Sequence, residues 1–303
     1  MNLDKINKNF GIKLFNNPNT LNYNLFNYFF KLKIVNRINN DDLIKNYHEL
    51  GFAKPKLNFS LLANCINENL KKNKFEQQKD LSNNYSIYLD VNEDLKKKIR
   101  KYISEDFIEI LDKLKFYYNN DIVVSNIEIK RNFGIKDSSH YTLNKREKEN
   151  EFYNMYYHCD YYTMNYFKLF INLQEITNEH GPLTFFSIKD TKKFVKESNF
   201  LNRTEYKNIN LDEEIKNCGS LGDCLILNTP QCIHRASIPK YGHHRDTLCV
   251  TFVAVHEKTD DIFYYEKSYP RDIWNMGKNI AKKFAKPKNF RNTFELYKKL
   301  TKN

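Results

Sequence analysis

From Asp121 onward the chain breaks into short apolar runs, many of them alternating with polar residues, and glycine, proline or asparagine closes most of them. That punctuation limits the fold more than any other feature. Alternate residues of a strand point to opposite faces, so a run with period two builds a sheet with one face turned to a core. Residues 122–129, 152–162, 166–176, 182–187, 223–227, 232–237 and 247–256 all read this way. Two longer polar stretches, 136–151 and 188–218, read as loops. Loops of roughly fifteen to thirty residues inside a compact domain are usually functional, and these two are expected to face a substrate.

Before Asp121 the apolar period lengthens to that of a helix. Asp41 or Asp42 can cap a helix bearing Leu43, Ile44, Tyr47 and Leu50, which Gly51 ends. A short strand over 52–57 follows, and Ser60 caps a second helix with Leu61, Leu62, Cys65, Ile66 and Leu70 at helical spacing. Residues 92–118 read as one long amphipathic helix, with Leu95, Ile99, Ile103, Phe107, Ile110, Leu111 and Leu114 on one side. Residues 25–30 form an apolar docking segment. Two further helices close the chain, one using Ile273, Met276, Ile280 and Phe284, the other Phe290, Phe294, Tyr297 and Leu300. A helical layer followed by many short strands predicts a mainly β fold, a jelly-roll core with helical support and a C-terminal helical extension.

A net charge of +12 raises the question of nucleic acid or an anionic surface. Its distribution answers against a basic groove: residues 271–303 hold ten Lys/Arg against Asp272 and Glu295, so most of the excess belongs to one terminal appendage. No nucleic-acid recognition motif accompanies it. Thirteen of the first fifty residues are Asn, a compositional bias that weakens any functional reading of charge. The six cysteines lack paired CxxC spacing, and the group Cys218, Cys224, Cys232 and His234 matches no common zinc module. Free thiols, the lack of a signal-like N-terminal run and the lack of about 18 consecutive apolar residues point to a protein of the cytoplasm without a membrane span.

Within the strand-rich half, His158-Cys159-Asp160 is followed by His234 and then Arg245. On a strand His158 and Asp160 share a face and Cys159 turns away. Two imidazoles and one carboxylate make the facial set that holds non-haem Fe(II) with open positions. Arg245 and Thr247 share a face that Cys249 and Thr251 continue, opposite Leu248, Val250 and Phe252. A guanidinium there can grip a carboxylate through two parallel hydrogen bonds, with the Thr247 hydroxyl beside it. Taken singly, each residue has an ordinary explanation: a surface His-x-Asp pair, a core histidine, an arginine paired with Asp246 or Glu257. Their order along successive strands favours the site. His140, His180, His243 and His244 fall in loops and turns and read as surface residues, and Tyr156, Tyr157, Tyr161 and Tyr162 as packing.

In these residues the chain resembles the phytanoyl-CoA dioxygenase family of Fe(II)/2-oxoglutarate oxygenases. Asp42-Leu-Ile-Lys-Asn-Tyr-His-Glu-Leu-Gly-Phe52 is similar to the family's opening helix, and His158-Cys-Asp160 to its proximal iron motif. Phe170-Ile-Asn-Leu-Gln-Glu-Ile-Thr-Asn-Glu-His-Gly-Pro-Leu183 resembles the strand and acidic turn that follow. Gly222-Asp-Cys-Leu-Ile-Leu-Asn-Thr-Pro-Gln-Cys-Ile-His234 with Arg245 resembles the distal half. The likeness covers residues 41–256, and Ser187-Ile-Lys-Asp190 replaces the family's Pro-Gly-Ser-His. It implies a double-stranded β-helix (cupin-like) domain over 1–260, with a basic extension over 261–303. It also implies iron on His158, Asp160 and His234, and 2-oxoglutarate on Arg245 and Thr247 beside Phe170. The implied reaction consumes dioxygen, hydroxylates a small molecule and releases succinate and CO2. Asp160 fills the position that is small in related halogenases, so hydroxylation is favoured. Two other classes stay open: a non-catalytic jelly-roll binding module, and a nucleic-acid or acidic-surface binder acting through the basic tail.

Overall fold

The computed structural model describes residues 38, 40–72, 86–89, 91–134, 157–160, 166–198, 211–255 and 262–263. The segment 25–30, the loop 136–151, most of 152–162, residues 199–210 and the two C-terminal helices lie outside the described residues.

Helix α1 (Asp42–Leu50) begins where Asp41 accepts hydrogen bonds from the backbone N–H groups of Leu43 and Ile44, at 2.9 and 3.2 Å. It ends at Gly51, whose φ of 81° only glycine adopts without strain. A side chain at Gly51 would also collide with Cys232 Sγ, so this turn packs directly on the segment leading to His234. Strand β1 (Phe52–Ala53) follows and is shorter than the spacing predicts. Helix α2 (Ser60–Lys72) starts on Ser60; the side chain that accepts its N–H is Asn58, at 2.7 Å. After strand β2 (Ser86–Leu89), the expected single helix is two: α3 (Glu93–Glu105) and α4 (Ile108–Tyr118). Its apolar spacing runs on unbroken through the junction because Phe107 still faces the core, wedged between Phe59 and Phe252. Periodicity alone therefore hides the bend.

Strand β3 (Asp121–Phe133) carries a bulge between Val124 and Asn126. One extra residue reverses strand parity. Ile122 and Val124 on one side of it, and Ile127 and Ile129 on the other, thereby reach the same helix-facing core. The remaining strands are β4 (Tyr166–Asn172), β5 (Leu183–Phe185), β6 (Ile215–Lys216), β7 (Cys224–Leu227), β8 (His234–Ala236) and β9 (His244–Val255). They form two antiparallel sheets, one in the order β1-β7-β4-β9-β3-β2 and a smaller one in the order β6-β5-β8.

Register sorts the large sheet into two faces. Ile129, Leu248, Ile171 and Cys224 make one row and Ile127, Val250, Leu169 and Ile226 the next, all packed under the helices. The opposite face carries the rows Lys130–Thr247–Asn172 and Glu128–Cys249–Phe170–Leu225, and Thr251 beside Lys168 and Leu227. Phe170, Leu225 and Leu227 meet Phe185 and Leu183 of the small sheet, so this second face is the inside of a sandwich. Ile262 and Phe263, beyond β9, still pack on the helix-side core.

The stretch 188–218, expected as a loop, contains helix α5 (Ile188–Ser198). Ser187 begins it: its hydroxyl accepts the Asp190 N–H at 3.1 Å and donates to Asp190 Oδ2 at 2.5 Å. The four residues that depart from the resembled family are thus a helix cap, a Ser-x-x-Asp signal present in the sequence. Residues 215–218 return as β6 and its continuation at the edge of the small sheet. Among the described residues, no helix is long and apolar enough to cross a membrane.

Candidate metal centre

His234 opens β8, and His158 pairs with it in an antiparallel bridge held by two backbone hydrogen bonds of 3.0 and 2.8 Å. The pairing sets the two imidazoles side by side, with ring centroids 4.3 Å apart. Asp160 is anchored two residues on by its N–H to the Thr229 carbonyl at 3.0 Å. Its Oδ1 lies 4.0 Å from His158 Nε2 and 3.9 Å from His234 Nε2. All three residues are buried, and their ligand atoms lie within 4.8 Å of one another. Among the described residues, this is the one group of three or more His, Cys, Asp or Glu arranged for a metal.

The donor set fits an ion. His234 Nδ1 is 2.9 Å from the Cys232 carbonyl, which can only accept, so Nδ1 carries the proton and Nε2 presents its lone pair inward. The donor separations exceed the roughly 3 Å between neighbouring ligands on an ion bound at about 2.1 Å. A small rotation of each side chain closes the gap.

Lys168, on the inner face of β4, places its ammonium 2.8 Å from Asp160 Oδ2. Burial alone would raise the Asp160 pKa, but the charges of Lys168, His234 and His158 outweigh it and hold the carboxyl well below its usual range. Burial likewise opposes a charge on Lys168, and Asp160 overcomes it, so Lys168 stays protonated. Lys168 is therefore paired with Asp160. Cys159 is buried and is not part of the metal group, in line with its strand parity, and burial pushes its thiol up.

Arg245 is buried at the start of β9, with Nη2 donating to Asn132 Oδ1 at 3.1 Å and Nη1 to the Ser237 carbonyl at 3.2 Å. Asp246 does not partner it; that carboxylate takes two hydrogen bonds from Arg131, at 2.7 and 2.6 Å, on the other face. Thr247 and Phe170 both lie on the inner face, as expected, Thr247 between Lys130 and Asn172. Cys249 on the same face has its thiol pushed up to about 12, chiefly by burial. The histidines expected at the surface stay away from the centre: His180 Nδ1 contacts the Thr177 hydroxyl at 2.9 Å, and His243 and His244 approach Glu179 and Asp246, each at 3.7 Å. His140 lies outside the described residues.

Sequence reading missed one structure around the centre. Tyr157 and Arg235, the neighbours of His158 and His234, face each other across the bridge, and the guanidinium lies 4.3 Å from the Tyr157 ring centroid. Both donate to Glu214 Oε1, Arg235 at 3.0 Å. Lys168 and Glu214 differ in how visible they were. A lysine at the inward parity of Phe170 is a signal; nothing local marks Glu214.

No protein-family model matches this sequence, and comparison with curated proteins gives no match. Solved structures do show remote likeness. The non-haem α-ketoglutarate-dependent epimerase SnoN from nogalamycin biosynthesis is 10% identical, with TM-score 0.47, over 70% of this chain and 81% of its own. HygX from Streptomyces hygroscopicus, solved with nickel, 2-oxoglutarate and hygromycin B, is 13% identical, with TM-score 0.46, over 78% and 100%. EctD from S. alaskensis, solved with 2-oxoglutarate and 5-hydroxyectoine, is 11% identical, with TM-score 0.48, over 74% and 80%. These likenesses are distant, and the chemistry of the centre is read from its own residues.

Proposed function

We propose that the chain is an Fe(II)- and 2-oxoglutarate-dependent oxygenase of the phytanoyl-CoA dioxygenase type, hydroxylating a small organic molecule inside a double-stranded β-helix. The observation that carries this reading is the convergence of His158, Asp160 and His234 at one buried point, on the same interior that holds Arg245. A binding module without a metal has no need to bury two imidazoles against a carboxylate. A nucleic-acid function would rest on residues 271–303, which lie outside the described residues.

Bound iron and 2-oxoglutarate supply the activation of dioxygen and the oxidising power, with succinate and CO2 as products. The chain supplies position. His158, Asp160 and His234 would hold the ion. Arg245, kept in orientation by Asn132 and the Ser237 carbonyl, would receive the distal carboxylate of 2-oxoglutarate with Thr247 beside it. Phe170, Leu225 and Leu227 wall the interior against water. A carboxylate at Asp160 occupies the place a halide would need, which favours hydroxylation.

Anaerobic titration tests this directly. Fe(II) with 2-oxoglutarate should give a saturable, weak visible charge-transfer band, absent from His158→Ala, Asp160→Ala and His234→Ala proteins that keep their circular dichroism. Arg245→Ala should weaken 2-oxoglutarate about a hundredfold, the cost of a partly buried bidentate partner, and leave iron affinity nearly unchanged. A wild-type protein that gives no band refutes the oxygenase reading.

A further inference from the structure

A carboxylate can meet a metal through one oxygen or through both, and the choice decides how many positions remain. Asp160 is divided between two neighbours: Oδ1 faces the two imidazole Nε2 atoms at 4.0 and 3.9 Å, while Oδ2 lies 2.8 Å from the Lys168 ammonium. The lysine is not a surface residue reaching in. It stands on the inner face of β4, paired with Thr251 of β9 and Leu227 of β7, and its side chain is only 19% exposed. Asp160, at 9%, is its ion-pair partner among the described residues, and the pair is largely sheltered from water.

We propose that Lys168 is a positioning residue that fixes Asp160 as a one-oxygen ligand. Turning Oδ2 onto the metal would break the buried pair and leave an ammonium without its counter-charge, a costly arrangement. The carboxylate therefore spends one coordination position. The positions it leaves would be free for a 2-oxo acid and dioxygen. The pairing also cancels the ligand's charge, so the centre presents the full charge of the ion to a dianionic cosubstrate. This inference rests on the oxygenase reading above and adds to it a residue that the iron motif does not contain.

The test uses the full-length protein loaded anaerobically with Fe(II) and 2-oxoglutarate, with nitric oxide standing in for dioxygen. In Lys168→Met the chelate band should persist, while nitric oxide affinity, read from the spin-3/2 signal in electron paramagnetic resonance, falls about tenfold, the lower range for loss of a group supporting a metal ligand. Lys168→Arg, which restores the cation, should recover it. Should Lys168→Met fail to fold, Lys168→Gln against Lys168→Arg decides on the same criterion. A band in both proteins with unchanged nitric oxide affinity overturns the role of Lys168 and leaves the oxygenase reading intact. A wild-type protein with no band overturns the reading beneath it.

Discussion

At the scale of single residues, the interior is unusual in how it handles charge. Lys168 is neutralised by Asp160, whereas Lys130 stands two rows away on the same inner face, next to the row of Glu128. Burial pulls the Lys130 pKa down to about 8; the charge of Glu128, the next largest influence, opposes the fall, and the charges of Arg245 and Lys168 add to it. Its ammonium approaches the Tyr88 ring, 5.1 Å from the centroid. A lysine depressed in the folded state and near 10.4 when unfolded disfavours folding while both states are protonated. As pH rises through 8 the folded protein releases the proton first, so the penalty fades up to the unfolded value. The stability advantage of Lys130→Met over wild type should thus shrink between pH 7 and 9.5 in urea unfolding. A gap that stays constant with pH would mean that Lys130 is not held in this low-dielectric setting. The sequence marks this position only by parity: 128, 130 and 132 share a face, but the bulge at Ser125 hides which face until β3 is paired with β9.

Elements determine whether the ligands meet. The His158 segment joins the small sheet by a single bridge, and two hydrogen bonds are little to hold a side chain in place. Outside that bridge, Tyr157 and Arg235 converge on Glu214, whose side chain is 5% exposed, just ahead of β6. This clamp ties three chain segments together directly behind the two imidazoles. Glu214→Ala should weaken Fe(II) or Co(II) binding by about 10- to 100-fold, with a smaller loss for Glu214→Gln, which keeps an acceptor. Isothermal titration with Co(II) on folded protein measures it, and equal affinities for the three proteins would reduce the clamp to packing. Here the limits of legibility are physical. His158 and Asp160 were visible because period two is a local property, and the Asp41 and Gly51 caps because each acts within one turn. Glu214 was not, since its partners come from sequence positions 57 and 21 residues away. The bend at Asp106–Phe107 is hidden because both helices bury the same stripe, and α5 because few apolar residues follow its Ser187–Asp190 cap in a mostly polar run.

Across the whole molecule, one sheet serves two purposes, and strand parity keeps them apart. Along β9, Leu248, Val250 and Phe252 pack under the helices, with Phe252 between Phe167 and Phe107 at centroid distances of 5.0 and 5.7 Å. Thr247, Cys249 and Thr251 alternate with them on the inner face of the sheet. If Thr247 serves the proposed cosubstrate, stability and cosubstrate binding rest on interleaved residues of one strand and should respond separately. Leu248 is fully buried, and Leu248→Ala should cost about 2–5 kcal/mol, a transfer loss plus a cavity. That is a large share of the 5–15 kcal/mol typical of a domain, yet at low temperature the protein should remain folded. Its iron and 2-oxoglutarate constants at 15 °C should stay within about twofold of wild type, because the Leu248 side chain lies on the opposite face of β9 from Thr247. Thr247→Ala should do the reverse, leaving the melting temperature nearly unchanged while raising the 2-oxoglutarate constant by the loss of one hydrogen bond to a charged group, roughly 1.5–3 kcal/mol. Thermal melts and anaerobic titrations on the same two proteins decide it. If Leu248→Ala weakens 2-oxoglutarate as much as Thr247→Ala does, the sheet transmits strain between its faces, and the inner surface is not the rigid template that a three-ligand centre opposite an arginine requires.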